Sequence, residues 1–170
     1  MLPPKESLPS WHNGSMEALD QKILTLLAED SERSLAEMAE ALAIPSSTLH
    51  QKIKRLETKG LILGYRAKLD LAKAGLSLTS FVSLTPIDPA APDNLPELLA
   101  PVGEIESCWS VAGSESYIVK VNVATPADLE ALLGKIRLVA NVRTETTVVL
   151  STAFENRVPV LPTSKDHDSN

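Results

Sequence analysis

Near Gly75 the hydrophobic rhythm of this 170-residue chain changes from that of a helix to that of a strand. A regular element has one period, about 3.6 residues for a helix and two for a strand, so the change separates two kinds of structure along the chain. The length allows two small domains in series. A helical first half and a sheet-based second half are therefore expected, an α+β organisation.

In the first half, Leu19, Ile23, Leu26 and Leu27 stand at i, i+4, i+7 and i+8 and form one stripe of an amphipathic helix over about Met16 to Glu29. The polar break "EDSER" follows. Ser34 precedes Glu37 by three residues, the spacing in which hydroxyl and carboxylate satisfy each other's free amides in a first helical turn. Leu35, Met38, Ala39 and Leu42 supply the inner face of that second helix. Pro45 disfavours helical geometry at Ile44 and stops it. A third helix begins at Ser46 or Ser47, points Leu49, Ile53 and Leu56 inward, and ends at Gly60. The stretch "LILGYRAKLDL", around Gly64, reads as a small hairpin. Three helices, a tight turn between the second and third, and a hairpin make a winged helix-turn-helix, placed over 16–70 with a linker at 71–77.

The second half holds four runs rich in β-branched and aromatic residues, at 78–86, 104–112, 116–124 and 142–152. A short helical pattern separates the first two. Thr125 as N-cap, Pro126 after it and Asp128 mark a helix between the last two. The order βαββαβ is that of a ferredoxin-like domain, expected over 78–158, with both helices on one face of the sheet. Leu-, Val- and Phe-bearing strands on the other face would make it a surface for pairing with a second chain. Residues 1–15 and 159–170, rich in Pro, Ser and small polar types, read as mobile ends.

The formal charge of −6 conceals two regions of opposite sign. From Pro45 to Lys73 seven cations face only Glu57 and Asp70, a balance of +5, and the remainder carries −11. Opposite the buried stripe of the third helix a helical wheel collects Ser47, His50, Gln51, Lys54 and Thr58, with Thr48 and Arg55 at one edge. Short polar side chains near a helix N-terminus reach base edges in a major groove, and longer cations meet the flanking phosphates. Ser46, Ser47, Thr48, His50 and Gln51 are accordingly the candidate base-proximal residues. Lys52, Lys54 and Arg55, with Arg66 and Lys68 from the hairpin, are the candidate phosphate contacts on double-stranded DNA. A solvated charged face is the ordinary explanation of such a run. Its place after a capped helix and a tight turn, and before two further cations, favours the nucleic-acid reading.

Other chemistry finds little support. Cys108 stands alone, with no cation beside it in sequence to lower its pKa. Metal-ligand spacings, a glycine-rich phosphate loop and a nucleophile–histidine pair are all missing, and neither a secretory signal nor an apolar run of membrane length is evident. These features predict a cytoplasmic protein without metal or cofactor.

Several stretches together resemble the leucine-responsive regulator/AsnC, or feast/famine, family of transcription factors over about residues 16–157. They are "MEALDQKILTLLAED", "LAEMAEALAIPSSTLHQKIKRLETKGLILGYRAKLD", the "AGL" hinge, "EIESCWSVAGSESYIVKVNV" and "NVRTETTVVL". "ESC", "SVAG" and "ESY" look closest to the actinobacterial branch. The resemblance implies a DNA-binding regulator that senses a free amino acid and forms homodimers through the C-terminal sheets, usually assembling into octamers. In the family the amino acid binds between neighbouring C-terminal domains, at the loop after the second strand. That loop here is Ala112, Gly113, Ser114, Glu115, Ser116 and Tyr117, with Trp109, Thr144 and Thr146 as further contributors. Glu115 is the acceptor for an amine, and Gly113 permits close backbone approach. The usual Gly-Asp-Tyr/Phe-Asp pattern is replaced by Gly113-Ser114-Glu115-Ser116, and the Ser-Pro that commonly opens the recognition helix by Pro45-Ser46.

Two alternatives share the scaffold. Siroheme decarboxylases are similar to these regulators, but their chemistry calls for histidines in the C-terminal part, whereas His12, His50 and His167 all lie elsewhere. An architectural DNA-binding protein would keep the oligomerising sheet and lack the effector.

Overall fold

The computed structural model describes residues 16–90 and 92–161; the arm expected over 1–15 and the residues from 162 onward, with His12 and His167, lie outside the described residues. Two compact units are formed. Residues up to Ala67 join those from Phe154 onward in the first, and Lys68–Ala153 make the second.

The first unit contains α1 (Ala18–Glu29), α2 (Leu35–Ala41) and α3 (Ser46–Thr58). The three stripes meet in a core of Ile23, Met38, Ala39, Leu49, Ile53 and Leu56, edged by Leu19, Leu26, Leu27 and Leu42. Each large aliphatic side chain removed from water there contributes roughly 1.5–3 kcal/mol. The reciprocal cap at α2 is present: Glu37 N donates to Ser34 Oγ at 3.2 Å and Ser34 N to Glu37 Oε2 at 2.9 Å. Both α2 and α3 end in paired reverse bonds. Ala43 N donates to Glu40 O and Ile44 N to Ala39 O, both at 3.0 Å, around Ala43 at φ +54°. Gly60 at φ +69° does the same for α3, with Gly60 N to Glu57 O at 2.9 Å and Leu61 N to Leu56 O at 3.0 Å.

Two expectations for this unit are corrected. α3 starts at Ser46 with Pro45 at the N-cap, so no hydroxyl caps it. The hairpin over "LILGYRAKLDL" does not form, and residues 63–70 hold no strand. Leu63 and Leu69 are 94% and 69% exposed, so a two-stranded ribbon here would bury little apolar surface, and such ribbons are marginal in water. Tyr65 nevertheless ties the segment to α3 by donating to Glu57 Oε1 at 3.0 Å.

The second unit runs β1 (Leu78–Pro86), α4 (Leu95–Leu99), β2 (Ile105–Ser110), β3 (Tyr117–Val123), α5 (Pro126–Ala140), β4 (Val142–Val148). The strands lie antiparallel in the order β2-β3-β1-β4, the expected ferredoxin-like arrangement. Thr125 caps α5 by accepting from Asp128 N at 3.2 Å, and Asn141, at φ +49°, closes its C-terminus. Val82, Leu84, Val119 and Val121 face α4 and α5 and bury with Leu95, Leu99, Leu129, Leu132 and Ile136.

The other sheet face differs from the leucine- and valine-bearing surface expected. Pairing of Ser83 with Ile118 and Glu145, of Ile118 with Trp109, and of Phe81 with Lys120 and Thr147 puts aromatic and polar side chains together there. Thr79 donates to Asn122 Oδ1 at 2.9 Å, and Asn122 Nδ2 to Glu106 Oε2 at 2.7 Å, a polar row across three strands. The alternation put the aliphatics on the helix side because that is where a second layer covers them.

Candidate functional site

Burial of Leu49, Ile53 and Leu56 fixes the rotation of α3. Ser46, Ser47, Thr48, His50, Gln51, Lys54 and Arg55 are all exposed on its remaining surface. Because Pro45 offers no side-chain acceptor, the amides of the first turn stay open at the positive end of the helix dipole. Neither Lys54 nor Arg55 forms a salt bridge among the described residues.

Lys52 is placed differently. Its Nζ lies 2.8 Å from Asp20 Oδ1 and also bonds Glu17, with its side chain only 18% exposed. Those bonds, to Asp20 first and Glu17 second, raise its pKa above the usual lysine value, and the bond from Lys52 lowers that of Glu17. Lys52 thus ties α3 to α1, and its charge is balanced by two carboxylates. Arg66 and Lys68 are exposed on an irregular segment rather than a hairpin, Arg66 in the first unit and Lys68 in the second.

In the second unit the β2–β3 loop is closed by Val111 N to Ser116 O at 3.0 Å, and fastened to β1 by Ser116 N to Leu84 O at 3.0 Å. Two clefts flank it. One, of ≈ 440 Å³, is lined by Ala112, Gly113, Glu115, Ser116 and Tyr117 on the loop side and by Asp88 and Asp93 on the β1–α4 side. The other, of ≈ 460 Å³, is lined by Ser114, Glu115, Thr144, Ser83, Thr85, Arg143 and Glu145. Glu115 borders both. Ser114 Oγ, 2.6 Å from Glu115 Oε2, holds that carboxyl below the ordinary glutamate range. A Cβ on Gly113 would meet only the Glu115 side chain, at 3.8 Å, so backbone there lies open to an incoming molecule.

Tyr117 Oη donates to Asp93 Oδ1. That bond, with burial second, pushes the phenol up to about 12. Trp109 and Thr146 line neither cleft. Trp109 is 46% exposed on the sheet face away from the helices. Thr144 pairs with Leu84 on the helix side and accepts from Arg137 Nη1 at 3.1 Å. Asp88, Asp93 and Arg143 went unread in the sequence. Asp93 stands in the approach to α4, 24 residues from Tyr117, and only the fold brings them together.

Cys108 sits on edge strand β2 with its thiol pushed up by burial, the reverse of an activated nucleophile. Among the described residues no three His, Cys, Asp or Glu side chains are grouped to hold a metal, and no helix is long and apolar enough to cross a membrane.

Comparison with known proteins gives two domain matches: a winged helix-turn-helix DNA-binding domain at residues 16–62 and the Lrp/AsnC ligand binding domain at 79–159. The HTH-type transcriptional regulator LrpA of Mycobacterium tuberculosis is 39% identical over 145 residues, covering 85% of this chain and 97% of the relative. The regulatory protein AsnC of Haemophilus influenzae is 27% identical, with 81% and 91% covered. Among solved structures, the M. tuberculosis feast or famine regulatory protein complexed with L-methionine matches with a TM-score of 0.83 at 39% identity, over 85% of this chain and 99% of that one. These relatives are regulators of transcription, and none of them is an enzyme. With both domains matched in order and a near full-length relative at 39% identity, the chain is a transcriptional regulator of the Lrp/AsnC family.

Proposed function

We propose that this regulator acts in the cytoplasm, grips duplex DNA with α3, and responds to a free amino acid held at the β2–β3 loop between the C-terminal domains of neighbouring subunits. A DNA-binding domain over 16–70 and an effector domain over 78–158, joined at 71–77, divide the two tasks. The exposed row Ser47, His50, Gln51 and Lys54 on a helix whose first-turn amides are uncapped is the observation that carries the reading. Ser46, Ser47, Thr48, His50 and Gln51 address base edges and neighbouring phosphates, and Lys54, Arg55, Arg66 and Lys68 supply sequence-independent attraction. The matched ligand-binding domain and the methionine complex of a relative support an amino acid as effector.

The exposed aromatics Phe81 and Trp109 on the uncovered sheet face support homodimers built sheet against sheet, which assemble further into octamers. Paired α3 helices then address half-sites about one turn of DNA apart. An effector at a subunit boundary changes operator affinity only through unequal affinity for two arrangements of the assembly. Thermal melts with each proteinogenic amino acid, paired with gel shifts in the same ligands, test this. At least one amino acid raises the midpoint and alters DNA affinity. If none does either, an architectural DNA-binding protein takes the place of this proposal.

A further inference from the structure

We infer that the effector is a basic amino acid, its cationic side chain entering the cleft between the β2–β3 and β1–α4 loops, with Asp93 as the residue that sets specificity. This rests on the effector reading above and narrows it to one class of ligand.

Glu115 borders two clefts of opposite character. Arg143 lines one with it, while Asp88 and Asp93 line the other. A free amino acid seated at Glu115 therefore finds a carboxylate for its ammonium and, from the same cleft, a guanidinium for its carboxylate. Its side chain is left to extend into the second cleft. That cleft carries three carboxylates and no lysine, arginine or histidine. An acidic side chain would be repelled there, and an aliphatic one would desolvate carboxylates without replacing their hydrogen bonds.

A chain of methylenes ending in a cation suits the site on both counts. Pro89, Pro92 and Leu95 offer apolar walls to the methylenes, and ≈ 440 Å³ lies within the roughly 300–1,000 Å³ of small-ligand pockets. The acids are also held in position. Asp93 accepts the Tyr117 hydroxyl through Oδ1, and Asp88 accepts Ala90 N through Oδ1 at 2.9 Å. Each keeps Oδ2 for an incoming donor. Three carboxylates alone would mark only a solvated surface. The independent sign of a ligand is the match of residues 79–159 to a ligand-binding domain.

The test uses the full-length protein, with calorimetric titration of L-lysine, L-norleucine, L-methionine and L-glutamate. Norleucine keeps the methylenes of lysine and lacks the terminal ammonium. Lysine is expected to bind roughly ten-fold or more tightly than norleucine, the usual worth of a hydrogen bond to a charged group, with glutamate weakest. Asp93→Asn brings that ratio toward one. Norleucine or methionine binding as tightly as lysine overturns the basic class and leaves the effector reading standing. No binding by any proteinogenic amino acid overturns both. Should Asp93→Asn fail to fold, the lysine-to-norleucine ratio of the unaltered chain decides.

Discussion

Ala43 keeps a left-handed φ of +54° so that Ala43 N and Ile44 N can close α2. An L side chain there is strained, whereas glycine is not, although glycine loses more freedom on folding. Ala43→Gly is expected to stabilise the protein by about 0.5–1 kcal/mol, read from denaturant midpoints, provided the strain exceeds the entropy term. Ser80 holds a different local conflict. Its hydroxyl is fully buried and has no hydrogen-bond partner. Ser80→Ala removes a stranded polar group with little change of shape and should stabilise by about 1 kcal/mol; a destabilised variant would show that the hydroxyl is bonded. Lys52 answers to its neighbours. Lys52→Ala leaves the carboxylate of Asp20, 6% exposed, without its hydrogen bond and should cost about 1–3 kcal/mol of stability. The pH dependence follows from the directions of the shifts. Glu17, lowered from 4.5, stabilises fully above that value and loses its contribution as pH falls through its folded pKa. Lys52, raised from 10.5, stabilises fully below that value and loses its contribution as pH rises through its folded pKa. Acid unfolding profiles of wild type and Glu17→Gln should therefore converge below about pH 4.5 and separate above it.

At the scale of the element, α3 separates cations that read alike in sequence. Lys54 and Arg55 project into solvent, whereas Lys52 reaches α1. Gel shifts over a salt series distinguish them. Lys54→Ala and Arg55→Ala should each weaken DNA binding and reduce the log K against log salt slope by about 0.9, the loss of one phosphate contact. Lys52→Ala should leave that slope as it is, and a reduced slope there would return Lys52 to the DNA face. The limits of α3 itself were legible. Pro45 before it and Gly60 after it act through local backbone geometry, which sequence specifies directly. The segment after Gly60 was not legible, because strand-like composition makes a ribbon only where a neighbour covers one of its faces, and Leu63 and Leu69 have none.

For the whole molecule, the uncovered sheet face governs assembly. Phe81 and Trp109 stand exposed there among polar rows led by Asn122 and Glu106. Trp109→Glu puts a charge into the proposed sheet-to-sheet contact and should shift the protein toward monomer in light scattering after size exclusion. An unchanged mass would move the contact elsewhere. By itself the sequence determined the helix stripes, their caps, the order βαββαβ and the loop that carries Glu115, since periodicity, capping and turn chemistry act between residues close along the chain. Tertiary structure alone decided that Lys52 turns to Asp20, that Tyr117 holds Asp93, and that Arg143 shares a cleft with Glu115. Those pairings join residues 24 to 32 apart, and the direction of a side chain across such a gap is set by how whole elements pack rather than by the chain on either side.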